Sequence, residues 1–163
     1  MADNEQVDDT EGGVKQVIQP QKIYIKDLSF ETPNSPQIFT AEWRTKTDVD
    51  VQSTTQTIGE DVYEIVMNVT VTVKLEDKTA FLVEVQQAGI FYISGFDDER
   101  LDRLQRVYCL KTLYPFACAT VSELVTRGGF PQLLLEPINF DVLYEHHKNK
   151  FKTPGENTGP EEE

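Results

Sequence analysis

The sequence predicts an α+β protein, a four-stranded antiparallel sheet with C-terminal helices packed on one face. Three observations carry this expectation. Between residues 22 and 93 apolar positions recur with a period of two, the spacing of one face of a strand. After Asp97 the spacing turns helical, with Leu101, Leu104 and Tyr108 at i, i+3 and i+7. Strands therefore all precede helices, an order that belongs to α+β rather than to alternating α/β architectures.

The alternation is cleanest in 62–75. Tyr63, Ile65, Met67, Val69, Val71, Val73 and Leu75 fill the odd positions, while Glu64, Asn68, Thr70, Thr72 and Lys74 stand among the even ones. That is a half-buried antiparallel strand. Glu76-Asp77-Lys78 turns it back into a strand over 79–93. Residues 41–57 repeat the pattern more weakly, with Trp43, Val49 and Val51 opposite Glu42, Arg44, Lys46, Asp48, Asp50 and Gln52. Residues 22–31 make the first strand. Pro33 and Pro36 assign 32–36 to a loop, because proline cannot serve a central ladder.

In the helical part, Asp97 and Asp98 offer N-cap chemistry and favourable charge at the positive end of the dipole. Pro115 is expected to break or kink the helix at Tyr114, so 97–114 and 116–127 read as two runs. Gly128-Gly129 ends the second, and Ala117, Cys118 and Ala119 leave room on it for another helix. A loop over Pro131–Pro137 follows. Asn139 caps a last helix with an apolar stripe of Phe140, Leu143, Tyr144, His147 and Phe151.

The strand 79–93 is apolar on both faces: Phe81, Val83, Val85, Phe91 and Ile93 on one, Leu82, Ile90 and Tyr92 on the other. Covering both implies a partner subunit. Val83, Val85 and Gln87 share one face, as monomer core or as an oligomer interface. A glutamine closing an apolar row suits the interface better.

At 163 residues one domain is expected, over 20–152, between acidic tails 1–19 and 153–163 expected to be disordered. The net charge of −13 is unevenly spread: the segments 1–13 and 153–163 hold −9, 27–99 holds −10, and 14–26 and 100–152 hold +3 each. An acidic sheet repels phosphate backbones and no basic stripe is interleaved with aromatics, which argues against nucleic acid and for a basic protein partner. No stretch approaches the roughly 20 apolar residues of a membrane span. Two cysteines and no export signal fit a reducing cytoplasm.

Enzymatic and metal chemistry find little support. His146 and His147 are adjacent, so on a helix they point roughly 100° apart and share a metal poorly. Cys109 and Cys118 have no nearby base and read as structural. No glycine-rich phosphate loop follows a strand. No cofactor is expected. The acids are more informative. Asp27 and Glu31 flank Ser29 on one strand face, opposite Leu28 and Phe30, either as a solvated face or as a docking patch. Phe39, Trp43, Phe130, Leu133 to Leu135, Phe140 and Tyr144 cluster near loops, where they either close the core or line a binding surface. A small-ligand-binding α+β protein would need a closed apolar pocket instead.

The run Ala80-Phe81-Leu82-Val83-Glu84-Val85-Gln86-Gln87-Ala88-Gly89-Ile90-Phe91 resembles the central strand of the bacterial protein-export chaperone family SecB. Further strings match in order: 23–31, 61–64, 69–72, Tyr114-Pro115-Phe116-Ala117, 127–133 and 137–141. The resemblance spans about residues 20 to 145. It implies an ATP-independent holdase that keeps unfolded precursors translocation-competent and passes them to the export motor SecA. In that family, acids matching Asp27, Glu31 and Glu84, beside Leu82, form a flat negative patch for the basic, zinc-binding SecA tail. The resemblance also implies a long groove for unfolded chain, for which Phe39, Trp43, Phe130, Leu133, Phe140 and Tyr144 are candidates. A dimer of dimers is implied, with helices between two sheets and the strand of Val83, Val85 and Gln87 in subunit association. Helix 97–114 departs most from the family pattern. A SecB-like chaperone dedicated to one partner, such as a toxin–antitoxin pair, is the alternative; it need not keep the acids.

Overall fold

The computed structural model describes residues 13–151; residues 1–12 and 152–163, most of the two expected tails, lie outside it. Strands β1 (Val17–Glu31), β2 (Thr45–Gly59), β3 (Val62–Leu75) and β4 (Lys78–Ser94) form one antiparallel sheet in the order β1-β4-β3-β2. The first strand thus starts at Val17, inside the segment expected as tail. The reason is pairing: Ile18 stands opposite Ile93 and packs against the core. Two-residue turns join β2 to β3 and β3 to β4, with Asp61 and Glu76 in the left-handed region (φ 56° and 54°).

The odd positions of β3 and β4 face the helices. Ile65, Met67, Val69, Val71, Val73, Phe81, Phe91 and Ile93 are buried there, as the period of two requires. Val83, Val85 and Gln87 belong to this same layer, at 0%, 1% and 2% exposure, so within the single chain they are core. The physical reason is the helix packed on β4 and β3, which covers that face within one chain. Gln87 is only half satisfied: its Nε2 donates to the Tyr24 carbonyl (3.1 Å), beside an irregularity in β1, while its Oε1 is buried without a partner. The other apolar face of β4 is only half-covered, at Leu82, Ile90 and Tyr92.

Helix runs without a break from Asp98 to Arg127, as α1 (Asp98–Arg103), a π-helical turn (Leu104–Tyr108) and α2 (Cys109–Arg127). The Asp97 carboxylate caps it, accepting from the Arg100 N–H at 2.8 Å. Pro115 sits inside α2 and does not end it, against the expectation from sequence. An interior proline costs about 3 kcal/mol, whereas each large apolar side chain buried fully returns about 1.5–3. Leu113, Tyr114, Ala117, Val121 and Val125, on both sides of Pro115, are all buried, and that wins. The helix stops where the glycines predict. Gly129 (φ 87°) donates to the Thr126 carbonyl and Phe130 to that of Val125, a Schellman closure. Gly128 is required for space, since a Cβ there would lie 2.2 Å from the Phe30 ring.

The last helix, α3 (Phe140–Phe151), is capped by Asn139, whose Oδ1 accepts from the Val142 N–H at 3.1 Å. It buries Phe140 and Tyr144 and leaves Leu143 and His147 exposed; the Phe151 side chain lies outside the described set. Charge fixes it laterally. Arg103 reaches Asp141 and Glu145 (2.9 Å each), Lys111 reaches Asp141 (2.6 Å) and Lys148 reaches Glu99 (2.6 Å). Cys109 and Cys118 are free thiols; burial pushes both up from the ordinary thiol value, Cys109 the more strongly.

Candidate functional site: an acidic sheet face and an apolar trough

The sheet face turned away from the helices carries the first surface, and a bulge builds it. In β1, Ile25 pairs with Gln87 but Asp27 pairs with Gln86, so one residue is inserted between them. Above the insertion the odd residues Ile23 and Ile25 share the helix-side face; below it the even residues Leu28 and Phe30 do. The parity switch puts Asp27, Ser29 and Glu31 on the open face. Ser29 stands directly opposite Glu84, and Glu31 opposite Leu82. All four positions singled out in the sequence, Asp27, Glu31, Leu82 and Glu84, are therefore brought together on two neighbouring strands.

The surface continues across the sheet. Glu84 pairs with Thr70 and Thr70 with Asp50; Leu82 pairs with Thr72 and Thr72 with Asp48; Gln86 pairs with Asn68 and Asn68 with Gln52. This block measures about 14 Å each way at ordinary strand spacings. It holds Asp27, Glu31, Asp48, Asp50 and Glu84, with Leu82 and uncharged polar residues between them; bases stand only at its borders, Lys26 beside Asp27 and the pair Lys46 and Lys74 one row beyond Asp48 and Thr72. Asp48 and Asp50 were legible only as the polar face of β2; the strand order, which sequence does not give, makes them neighbours of Glu84. Further up the same face, Tyr24 donates to the Glu64 carboxylate across Ala88, and Lys26 Nζ lies 2.8 Å from the other Glu64 oxygen. Hydrogen bonds from Lys26 and then Tyr24 hold Glu64 below the usual glutamate range, and burial, with Glu64 beside it, pushes Tyr24 up to about 12.

The second surface is on the helix side, where β2, the loop 131–139 and α3 leave a trough. β2 is an edge strand and exposed along nearly its whole length. One depression of about 670 Å³ runs between Thr47, Val49 and Val51 and the loop residues Leu133, Leu134, Leu135 and Ile138. A second, of about 310 Å³, runs between Val51, Gln52 and Ser53 and Arg106, Leu110, Phe140, Tyr144 and His147. Val51 and Leu143 line both, so the two are continuous. The Tyr114 hydroxyl, donating to the Glu136 carbonyl at 2.5 Å, ties the loop to α2.

The six groove candidates divide in two. Leu133, Phe140 and Tyr144 line the trough. Phe130 is buried at the end of the sheet, where Phe39, Trp43 and Phe81 stack around it at 5.0, 5.6 and 4.9 Å, so it is a hub of core packing. Of that cluster, Phe39 and Trp43 present exposed rings, at 49% and 40%. Val49, Val51, Leu143 and Arg106 are trough residues that sequence reading did not assign. The apolar parity of β2 and the exposed flank of the α3 stripe were the available signals for the first three. Among the described residues no group of three or more His, Cys, Asp or Glu side chains is placed to hold a metal ion, and no described helix is long and apolar enough to cross a membrane.

One sheet thus carries an uncovered acidic face on one side and an open apolar trough on the other, with the helices on the trough side. The comparisons with known proteins say which kind of protein this is. The family profile described as Preprotein translocase subunit SecB matches residues 11–151. Relatives described as Protein-export protein SecB are 52% identical in Nitrosococcus oceani, over 83% of this chain and 84% of theirs, and 53% identical in Methylococcus capsulatus, over 76% and 80%. The chain belongs to the SecB family of protein-export chaperones. Its fold is also that of the Mycobacterium tuberculosis SecB-like chaperone Rv1957, solved with a ChAD peptide from the Rv1956 HigA1 antitoxin. That match has a TM-score of 0.63 at 15% identity and covers 75% of this chain and 91% of that one.

Proposed function

We propose that this chaperone is a cytoplasmic, nucleotide-independent holdase that receives unfolded precursor segments in the trough and hands them to SecA through Asp27, Glu31, Leu82 and Glu84. The observation that carries the reading is the convergence of those four positions, from two strands, in a block whose acids meet bases only at its borders. A flat array of carboxylates attracts a basic tail, and the attraction decays within a Debye length of about 8 Å at physiological salt. The thickness of the sheet separates this block from the trough, so client and motor are bound together rather than in competition. Client binding is differential. Unfolded chains expose apolar surface that native proteins hide, and the exposed rings of Phe39 and Trp43 and the aliphatic walls of Val49, Leu134 and Leu143 take it up. The working unit is a homotetramer, a dimer of dimers. Its contacts are sought on surfaces still open in the single chain, such as Phe116 on α2 (49% exposed) and the outer edge of β1, rather than at Val83 and Val85.

Calorimetric titration with the basic, zinc-binding SecA tail tests the patch when run beside an aggregation assay on a slow-folding precursor without nucleotide. Asp27→Lys and Glu84→Lys are expected to abolish tail binding and to retain aggregation suppression. Unchanged tail affinity in both variants would remove the patch from the mechanism, and failure of the unmodified protein to suppress aggregation would remove the holdase.

A further inference from the structure

We propose that Glu64 keeps the acidic face open to a basic partner by drawing Lys26 away from it. The inference rests on that face being the docking surface, and it adds a positioning residue outside the four that would touch the partner. Lys26 has no partner of its own on β4, because Ile25 pairs with Gln87 and Asp27 with Gln86. It is the residue inserted at the bulge, and the insertion sends its side chain to the open face along with that of Asp27. The irregularity that presents Asp27 therefore also brings a base to the border of the same carboxylates. A lysine is a compact charge on a flexible four-carbon stem, free to fold over Asp27, the next residue on that face. Left there, it would neutralise one acid and repel an arriving cation.

Glu64 offers that base another place. It stands on β3 opposite Ile90, four residues along β4 from Gln86, or about 13 Å up the face from the rung of Asp27. Lys26 Nζ reaches across β4 to Glu64 Oε1 at 2.8 Å, while the Tyr24 hydroxyl donates to Oε2. The Glu64 carboxylate is thus aimed by a second donor, and its side chain is only 13% exposed, against 45% for that of Lys26. An oriented and largely covered acceptor is screened less than the exposed Asp27, so it wins the competition for one ammonium. The backbone is fixed as well. Gln87, on the helix side, donates from Nε2 to the Tyr24 carbonyl at 3.1 Å. Tyr24, two residues before the insertion, is therefore held from both faces of the sheet, and Lys26 leaves the bulge towards Glu64 and not towards Asp27.

The test is calorimetric titration of the basic, zinc-binding SecA tail onto the full chain, with the thermal midpoint of each variant followed to establish folding. Glu64→Gln is expected to bind the tail about three- to fivefold more weakly, the worth of one charge pair at a solvated surface. Lys26→Gln alone should bind it as tightly as the unmodified chain or more so. Glu64→Gln combined with Lys26→Gln should regain the unmodified affinity, because the acid is needed only while the base is present. Glu64→Gln combined with Lys22→Gln makes the same change in net charge at a lysine opposite Ile90 on the same face, and should stay weak. A residue that only braces the bulge gives a different pattern, in which both single variants weaken the tail and the double variant is no better. Unchanged affinity in Glu64→Gln, weaker binding in Lys26→Gln, a double variant no tighter than Glu64→Gln, or equal rescue by Lys22→Gln each overturns the role of Glu64. Lys26→Gln leaves Glu64 intact, so its result decides even where Glu64→Gln lowers the midpoint. Failure of the unmodified chain to bind the tail, or binding that survives both Asp27→Lys and Glu84→Lys, overturns the docking face itself and this inference with it.

Discussion

Val83→Ala separates two readings of the central strand, because the same side chain would fail differently in a core and at an interface. Val83 has no exposed surface; it is flanked in register by Val71 on β3 and Phe30 on β1 and lies in the layer beneath α2. Removing two methyl groups forfeits about 1.6 kcal/mol of transfer free energy at ~0.8 per group. The cavity left in a layer braced by strands on both sides adds on the order of 1 kcal/mol. The expected loss is therefore about 2.5 kcal/mol, or roughly 5–10 °C of thermal midpoint for a chain of this size. Calorimetry gives the midpoint, and light scattering at the same concentration gives the mass of the assembly. Leu82→Ala, one residue along on the half-covered face, is the internal comparison and should cost under about 1 kcal/mol. A midpoint within about 1 °C of the unmodified protein, accompanied by a fall in assembly mass, would refute the core assignment and return Val83 to a subunit contact.

Other consequences are as direct. Gly128→Ala places a Cβ 2.2 Å from the Phe30 ring, so denaturant unfolding should show a loss of about 1–3 kcal/mol, relieved in part when Phe30 is also made smaller. Because Glu64 titrates below its ordinary value of 4.5, its network with Lys26 and Tyr24 contributes stability above that pH and loses it as pH falls through the lowered value. Glu64→Gln should therefore flatten the acid limb of a stability–pH curve and leave the neutral region to report only the lost ion pair. The ion pairs that hold α3 are exposed, so raised salt or Arg103→Ala should speed hydrogen exchange in 140–148 selectively; uniform protection across the chain would show that Phe140 and Tyr144 hold the helix alone.

What could be read from the sequence was whatever is written in consecutive residues. The alternation of 62–75, the turn at Glu76-Asp77, the caps at Asp97 and Asn139 and the stop at Gly128-Gly129 are local chemistry, and each is found in place. Pro115 misled because its cost is local whereas the burial that outweighs it comes from β4 and β3, tens of residues away. Val83 and Val85 were open to two readings for a related reason: a strand apolar on both faces says that two covers exist, not which is the chain's own. The bulge between Ile25 and Asp27 left a trace, the switch of apolar parity from Ile23 and Ile25 to Leu28 and Phe30. That switch decides the function of the face. Without the inserted residue, Asp27 and Glu31 would share parity with Ile23 and point into the helix layer, where unpaired carboxylates cost several kcal/mol each. With it, one edge strand packs isoleucines against the core at one end and presents acids beside Glu84 at the other. The placement of Asp48, Asp50 and Arg106 has no such trace, since each acquires its neighbours only when strand order and the course of α3 are known. Substitutions that remove the bulge should thus damage acidic-face binding and folding together, whereas Asp27→Lys should damage only binding.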